Sequence, residues 1–336
     1  MDVAVVVNLR ARRGSAQLGR RIAERLPRAR VAVTGSLDDL RRFIDRELVK
    51  SPPELLLSGG GDGTAVTMLN ELRDRDVRFA QLGVLRLGTG NGWANATGAP
   101  RTSRAIAHVA ALDDGPAQAR MPSRRFALVE SGDRIAPFLG TGWDAEIITD
   151  FRAHVARMPP GLRSLNEGLP GYLMGLFTRT IPRHLFGDGP PDVVLTNLGE
   201  PALTVDADGR IVPVPGGERG AVLYRGPASV AAAGTTEEWG FGFRAFPFAH
   251  TVPGRVNARV YGGPVLEATR QMFRLWRGDH RVPHMHDFFL THGRMDFDRE
   301  VPFQIGGDVG GVRRSFEFRL AREAVDVVDW SRVAAA

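Results

Sequence analysis

The segment "LLLSGGGDGT" at positions 55–64 sets an aspartate inside a run of glycines, directly after an apolar stretch. This pattern is typical of a buried strand that turns tightly into a helix. Glycines allow backbone N–H groups to approach a polyphosphate closely, and the start of a helix favours negative charge. The segment therefore predicts a phosphate-handling loop in an α/β fold.

Asp62 places a negative charge in this predicted phosphate-handling loop. A carboxylate beside a phosphate is repelled unless a Mg²⁺ ion or a proton to be abstracted lies between them. A second glycine loop, "LGTGNG" at 87–92, follows the next apolar run. Two glycine loops with one acid favour phosphoryl transfer over simple nucleotide holding. A tight turn with an ordinary capping aspartate is the alternative.

The residues around the two loops alternate between strand and helix patterns. This alternation predicts a doubly wound α/β nucleotide-binding domain over residues 1–120, in which ligands bind beyond the carboxyl ends of the strands. Both glycine loops follow predicted strands. The expected strands are 3–9, 30–34, 54–59 and 81–88, and the expected helices are 15–26, 36–49 and 64–73.

After about residue 120 the pattern changes to short apolar segments separated by turns. Dipeptides such as Asp208-Gly209 and Gly216-Gly217 are typical of hairpins. We expect a β-rich, sandwich-like substrate-binding domain over 121–336, with the boundary near Gln118–Ser123. The last segment is a candidate to return to the first domain.

The composition excludes several kinds of site. The 336 residues include no cysteine, so disulfides, thiolate metal sites and cysteine nucleophiles are ruled out. The net charge of +6 comes almost wholly from arginine, with eight arginines between positions 10 and 30, but no nucleic-acid reader motif accompanies them. No stretch has the pattern of a secretory signal or of a bilayer span, so we expect a cytoplasmic protein that binds no nucleic acid.

The segment "GGGDGTAVTMLNEL", followed by "LRLGTGNGWAN", resembles the catalytic domain shared by diacylglycerol kinases, sphingosine kinases and bacterial lipid kinases. That family reads GGDGT, then N-E, then P-L-G-T-G-N-D. Looser likenesses are "FLGTGWDAEII" at 138–148 and the region around "GGD" at 306–308, which resembles the family's Asp-Gly-Glu signature. The resemblance extends over nearly the whole chain and is most specific at the two glycine loops.

The resemblance implies ATP and Mg²⁺ as cofactors and a lipid hydroxyl as the acceptor of the γ-phosphoryl group. Asp62 and Asp308 are the two candidates for the catalytic base, and Asp144 would contact the polar head of the acceptor. No residue is assigned as a metal ligand beyond Asp62, because ATP would carry the Mg²⁺. The residues expected along the nucleotide are Asn8, Thr34, Gly60, Gly61, Asp62, Gly63, Thr64, Gly88, Thr89, Gly90 and Asn91.

The sequence departs from the family pattern at acidic positions. Gly92 replaces the acid of G-T-G-N-D, Gly306 replaces the first acid of Asp-Gly-Glu, and Asp308 is shorter than the usual glutamate. Residues 249–260 hold no acid where many bacterial members support a structural Mg²⁺. A nucleotide-binding pseudokinase with a regulatory role is therefore one alternative. The other is a soluble-substrate kinase of the NAD kinase or phosphofructokinase type.

Two further segments carry open interpretations. Residues 169–186 mix apolar and basic side chains, so they either dock at the inner membrane face, where a lipid substrate resides, or pack as a helix on the β-rich domain. His280, His284 and His286 lie close together in a strand-rich region. They either bind a metal or are ordinary histidines at strand ends.

Overall fold

The computed structural model describes residues 1–88, 90–113, 120–143, 145–147, 149–150, 189–239 and 242–333, together with the single positions 174, 175, 178 and 182. The chain divides into two compact units. The first comprises Met1–Phe126 and Ala324–Ala336, and the second comprises Ala127–Glu323. The fold is α/β in the first unit and strand-rich in the second, as the sequence predicts.

A parallel sheet forms the centre of the first unit. Its strands β1 (Val3–Asn8), β2 (Arg30–Thr34), β3 (Leu55–Gly60) and β4 (Gln81–Arg86) lie in the order β2-β1-β3-β4. All three neighbouring pairs are parallel. Strands β1, β3 and β4 are buried almost throughout, which explains their continuous runs of valine and leucine.

Helices connect these strands and begin where the sequence supplies caps. Ser15 caps the first helix and Ser36 caps the second, the latter in a capping box with Asp39. The second helix ends earlier than the predicted 36–49, because a π-helical turn continues it at Ile44–Leu48. The helices are α1 (Ala16–Arg25), α2 (Leu37–Phe43), α3 (Asp62–Arg73), α4 (Gly92–Ala96) and α5 (Thr102–Asp113).

Helix α3 begins at Asp62, two residues before the predicted start at Thr64. Gly61 is the N-cap, with an extended backbone, and its carbonyl accepts from the N–H groups of Thr64 and Ala65. Helix propensity did not predict this start, because Gly61 and Gly63 are poor helix formers. As a result the aspartate of the glycine loop lies in the first turn of a helix, where negative charge is favoured.

Antiparallel strands build the second unit. Its apolar centre is rich in phenylalanine, including Phe303, Phe316 and Phe318 from the last two strands. The short helices α6 (Val265–Arg270) and α7 (Met272–Trp276) lie between two of the strands. The strands are β5 (Ser123–Ser131), β6 (Arg134–Ala136), β7 (Phe138–Gly142), β8 (Asp192–Asn197), β9 (Leu203–Val205), β10 (Ile211–Pro213), β11 (Val222–Pro227), β12 (Val230–Gly234), β13 (Val256–Tyr261), β14 (Met285–Leu290), β15 (His292–Ile305) and β16 (Asp308–Val328).

The last long strand, β16, begins in the second unit and ends in the first. Its end runs parallel to β4, with Val327 opposite Leu82, and thereby adds a fifth strand to the first unit's sheet. The short helix α8 (Trp330–Val333) follows, and Trp330 is fully buried. No helix among the described residues is both long and apolar enough to cross a bilayer.

Candidate active site

The predicted nucleotide-binding residues of the first unit gather at the carboxyl edge of its sheet. Asn8, Thr34 and Gly60 are the last residues of β1, β2 and β3. The chain leaves β1 toward β2 on one side and reaches β3 on the other, so the edge between β1 and β3 is a topological switch point. Ligands of doubly wound sheets bind at this place.

Asn8 joins the end of β1 to the start of α3. Its Nδ2 donates to Oγ1 of Thr64 at 2.9 Å, and its Oδ1 accepts from the N–H of Arg10 at 2.9 Å. Thr34 is buried beside it, and its carbonyl accepts from the N–H of Leu9. Asn8 therefore lies beside both Thr34, its partner across the sheet, and Thr64.

Glycines in both loops are required because neighbouring atoms approach their backbone closely. A Cβ added at Gly60 would lie 2.2 Å from Oγ1 of Thr64. A Cβ at Gly88 would lie 2.3 Å from Cα of Gly61, so the two glycine loops touch backbone to backbone. Side chains at these two positions would therefore clash with neighbouring atoms.

Asn91 closes the second loop. Its Oδ1 accepts from the N–H of Gly88 at 3.1 Å, and its Nδ2 donates to the carbonyl of Gly88 at 2.8 Å. Its backbone is left-handed, with φ of 52° and ψ of 41°, a conformation that asparagine tolerates better than most residues. Gly90 lies half-buried inside this turn, and Thr89 lies outside the described residues.

Asp62 binds the two loops to each other. Its Oδ2 accepts from the N–H of Gly92 at 2.7 Å, and its Oδ1 accepts from the N–H of Trp93 at 3.0 Å. Both donors belong to the first turn of α4, where helical N–H groups have no partner within the helix. Burial raises the pKa of the Asp62 carboxyl above its usual range, although the hydrogen bonds from Trp93 and Gly92 act in the opposite direction.

Sequence reasoning missed this bridging role of Asp62. The position that holds an acid in the family, Gly92, contributes its backbone N–H to Asp62. The sequence did contain a signal for this role. Asn91 and the residues after it are typical of a helix start, and a helix start favours a nearby carboxylate. The carboxylate of Asp62 therefore shapes the second loop, whatever further chemistry it performs.

Arginines surround the same edge of the sheet. The loop after β1 carries Arg10, Arg12 and Arg13, all exposed. The backbone N–H of Arg13 donates to the carbonyl of Leu87 at 3.1 Å, which ties this loop to the start of the second glycine loop. Their positive charge suits a polyphosphate.

Asp308, the second predicted base, lies in the second unit at the start of β16. Gly306 and Gly307 precede it with φ of 59° and 83°, and Ile305 pairs with Asp308 across them. These features define a two-residue hairpin with left-handed central residues, which explains two adjacent glycines. Asp308 is half-buried. Asp144, predicted to contact the acceptor, lies outside the described residues, as does the segment 169–186 apart from four single positions.

The three predicted histidines, His280, His284 and His286, lie in or near β14 in separate settings. His284 Nε2 lies 3.5 Å from Glu267, and the His286 ring packs against Tyr224 at a tilt of 50°, with ring centroids 4.9 Å apart. Burial lowers the pKa of His286, and His284 adds to the effect. His280 lines a cavity of about 380 Å³. Within the described part of the chain, no three or more histidine or carboxylate groups converge as a metal site would require.

Comparison with known proteins finds a family match within the first unit. Residues 2–119 match the family of the diacylglycerol kinase catalytic domain. The matched range includes both glycine loops and the bridge from Asp62 to α4. It comprises about a third of the chain.

A relative named probable lipid kinase YegS-like, from Klebsiella pneumoniae (strain 342), is 41% identical over 71 residues. The aligned part spans 21% of this chain and 23% of that protein. The crystal structure of a diacylglycerol kinase from Bacillus anthracis str. Sterne superposes on 97% of this chain and 96% of its own, with a TM-score of 0.61 and 14% identity. A further structure from that organism gives a TM-score of 0.65 over 97% of this chain and 96% of its own, at 15% identity. The two structures support the fold.

Proposed function

We propose that this chain is an ATP-dependent lipid kinase. It transfers the γ-phosphoryl group of ATP to a hydroxyl of a diacylglycerol-type or sphingoid-type lipid. The lipid is reached at the inner face of the membrane by an otherwise cytoplasmic protein. The observation that carries the proposal is the junction of the two glycine loops at the β1–β3 switch point, joined by Asp62.

The glycine cradle supports the nucleotide part of the proposal. At Gly60 and Gly88 an added Cβ would lie 2.2 and 2.3 Å from neighbouring atoms, and at Gly61 it would lie 3.2 Å from Cα of Gly88, so side chains are disfavoured at all three. The N-terminus of α3 begins at the same point and offers N–H groups to an anion. The exposed arginines of the loop after β1 add positive charge. We propose that the phosphates of ATP bind in this cradle.

The acids suit a Mg²⁺ that arrives with the nucleotide. Among the described residues no cluster of carboxylates and histidines forms a metal site, and both oxygens of Asp62 already accept N–H groups. When bound to the phosphates, Mg²⁺ neutralises charge that develops during transfer. Asp62 is the candidate ligand from the protein, because each of its oxygens keeps a second lone pair.

Two carboxylates remain proposed for the base that takes the proton of the lipid hydroxyl. Asp62 has the raised pKa that suits a proton acceptor, but it also holds α4 in place. Asp308 follows a two-glycine hairpin at the start of β16. We therefore favour Asp308 as the base and Asp62 as a positioning residue that contacts Mg²⁺.

The proposal is tested by incubating purified protein with Mg·ATP and separate acceptors: diacylglycerol, a sphingoid base, NAD and a sugar phosphate. We expect labelled product from one of the lipids. Product only from NAD or the sugar phosphate would overturn the lipid assignment in favour of a soluble-substrate kinase. A thermal shift with ATP but no transfer to any acceptor would overturn the kinase assignment in favour of a nucleotide-binding regulator.

Substitution of Asp308 tests the choice of base. Asp133 is a matched control, because it also follows a glycine in a hairpin turn of the second unit. Loss of a general base costs about 10²–10⁴-fold in rate. We expect Asp308→Asn to lose about hundredfold or more in kcat, while Asp133→Asn keeps wild-type kcat. Equal kcat values for the two variants would remove Asp308 from the mechanism.

A further inference from the structure

Helices α6 and α7 form an almost continuous helical segment on the second unit. Gln271 links them, since its N–H donates to the carbonyl of Glu267 and its carbonyl accepts from the N–H of Leu275, both at 2.9 Å. The inner face of the segment is anchored. Val265, Ala268 and Leu275 are buried, and the last two pack with Tyr261 and Val282.

The outer face of this segment exposes large apolar side chains to solvent. Leu266 is 53% exposed and Phe273 is 83% exposed, the highest value among the large apolar side chains that the structure describes. Arg270 and Arg277 are exposed as well. The four residues 266, 270, 273 and 277 follow helical spacing, so two large apolar side chains alternate with two arginines along one line. We name these four residues the outer stripe.

The charge around the outer stripe is positive. Residues 264–283 contain four arginines and two acids. Both acids have basic neighbours: Asp279 accepts from Arg274 at 2.8 Å, and Glu267 lies 3.5 Å from His284. Within the described chain, no ion pair involves Arg270 or Arg277. Their charges are therefore available to an anionic partner.

We propose that the outer stripe docks this protein on an anionic lipid bilayer. The apolar side chains would enter the boundary between headgroups and acyl chains, and the arginines would meet headgroup phosphates. A bilayer fits better than a protein partner, because two apolar side chains set among arginines match a headgroup layer in chemistry and depth. This inference rests on the proposed function only in that a lipid kinase must reach a membrane.

Vesicle sedimentation without nucleotide tests the docking. The probes are vesicles of phosphatidylcholine alone and vesicles that also contain phosphatidylglycerol. We expect wild-type protein to bind the anionic vesicles more tightly and to lose affinity with added salt. Each arginine contributes about fivefold in affinity near an anionic surface. We therefore expect Arg270→Glu with Arg277→Glu to weaken binding by at least about 25-fold, and Leu266→Ser with Phe273→Ser to weaken it by about tenfold or more.

The matched control is Val222→Ser with Arg219→Glu, which changes an exposed apolar residue and an exposed arginine of the same unit. It should bind the vesicles as wild type does, and melting curves should be alike for all variants. Equal binding of stripe and control variants would overturn the inference. So would a change of oligomeric state in the Phe273→Ser variant with vesicle binding intact, since that result assigns the stripe to a protein contact. Stripe-dependent binding without phosphorylation of any lipid would keep the inference and refute the proposed function.

Discussion

Replacing Asp62 by asparagine separates the effect of the hydrogen bonds that its carboxylate accepts from the effect of its charge. The carboxylate accepts N–H groups of Gly92 and Trp93 at 2.7 and 3.0 Å. An amide of the same shape has one oxygen, so it accepts only one of them and turns an NH₂ group toward the other. Losing one charge-assisted hydrogen bond costs about 1.5–3 kcal/mol.

The same substitution removes a partly buried charge. Burial is the largest influence on Asp62 and raises its pKa, which means that it outweighs the hydrogen bonds from Trp93 and Gly92. The stabilisation from removing the Asp62 charge therefore offsets the free energy lost with one hydrogen bond. We expect the free energy of unfolding of Asp62→Asn to stay within about 1 kcal/mol of wild type at neutral pH. Activity should nevertheless fall about hundredfold, because α4 and the second loop shift and misplace the reactants.

The pH dependence of stability supplies the decisive assay. With a raised pKa, folded wild type binds the Asp62 proton more tightly than the unfolded chain does. Wild type therefore loses free energy of unfolding as the pH rises from the ordinary carboxyl range through the raised pKa, and asparagine does not. In urea unfolding across that range, the free energy of unfolding of Asp62→Asn should rise relative to that of wild type as the pH rises. The opposite trend would refute the reasoning and show that the N–H bonds dominate.

Three further substitutions test other parts of the molecule. Glu71→Gln should lower the free energy of unfolding by about 1–3 kcal/mol at neutral pH. Arg41, 3.0 Å away, lowers the pKa of Glu71. The stabilisation by the Glu71 carboxylate is therefore present above the ordinary carboxyl range and disappears as the pH falls through the lowered pKa. In urea unfolding, the free energies of the two proteins should become equal at that low pH. Gly60→Ala should abolish the thermal shift with ATP, because its Cβ would lie 2.2 Å from Oγ1 of Thr64; a normal shift would exclude the cradle. Gly307→Ala meets no atom within 4 Å but keeps φ of 83°, so denaturation should reveal a loss of about 1 kcal/mol from backbone strain alone.

Local patterns explain why the first unit was predictable. Runs of valine and leucine end in glycines at β3 and β4, and each such run produced a strand within a residue or two of its predicted limits. The hairpin at Asp208-Gly209 was predicted from the same kind of signal. The adjacent glycines Gly306 and Gly307 make an equivalent turn, and the same rule applied there would have placed Asp308 at a strand start.

Contacts distant in sequence could not be predicted in this way. Asp62 and Trp93 are 31 positions apart, and their hydrogen bond depends on how β3 and β4 align. Gln81 and Met121 exchange two hydrogen bonds across 40 positions, which no local pattern indicates. The start of α3 was misplaced for a different reason. Its first turn contains Gly63, which helix propensity disfavours, and the tertiary setting overrides that preference.

The return of β16 to the first unit determines the order in which that unit is completed during synthesis. Until Val327 pairs with Leu82, strand β4 is an open sheet edge, and the buried Trp330 that follows β16 is not yet in place. Every residue of the second unit must leave the ribosome before that edge closes. The nascent chain therefore carries an unpaired strand through most of its translation, which is a site for wrong pairing between chains. A product shortened at Glu323 would keep both glycine loops yet leave this edge permanently open.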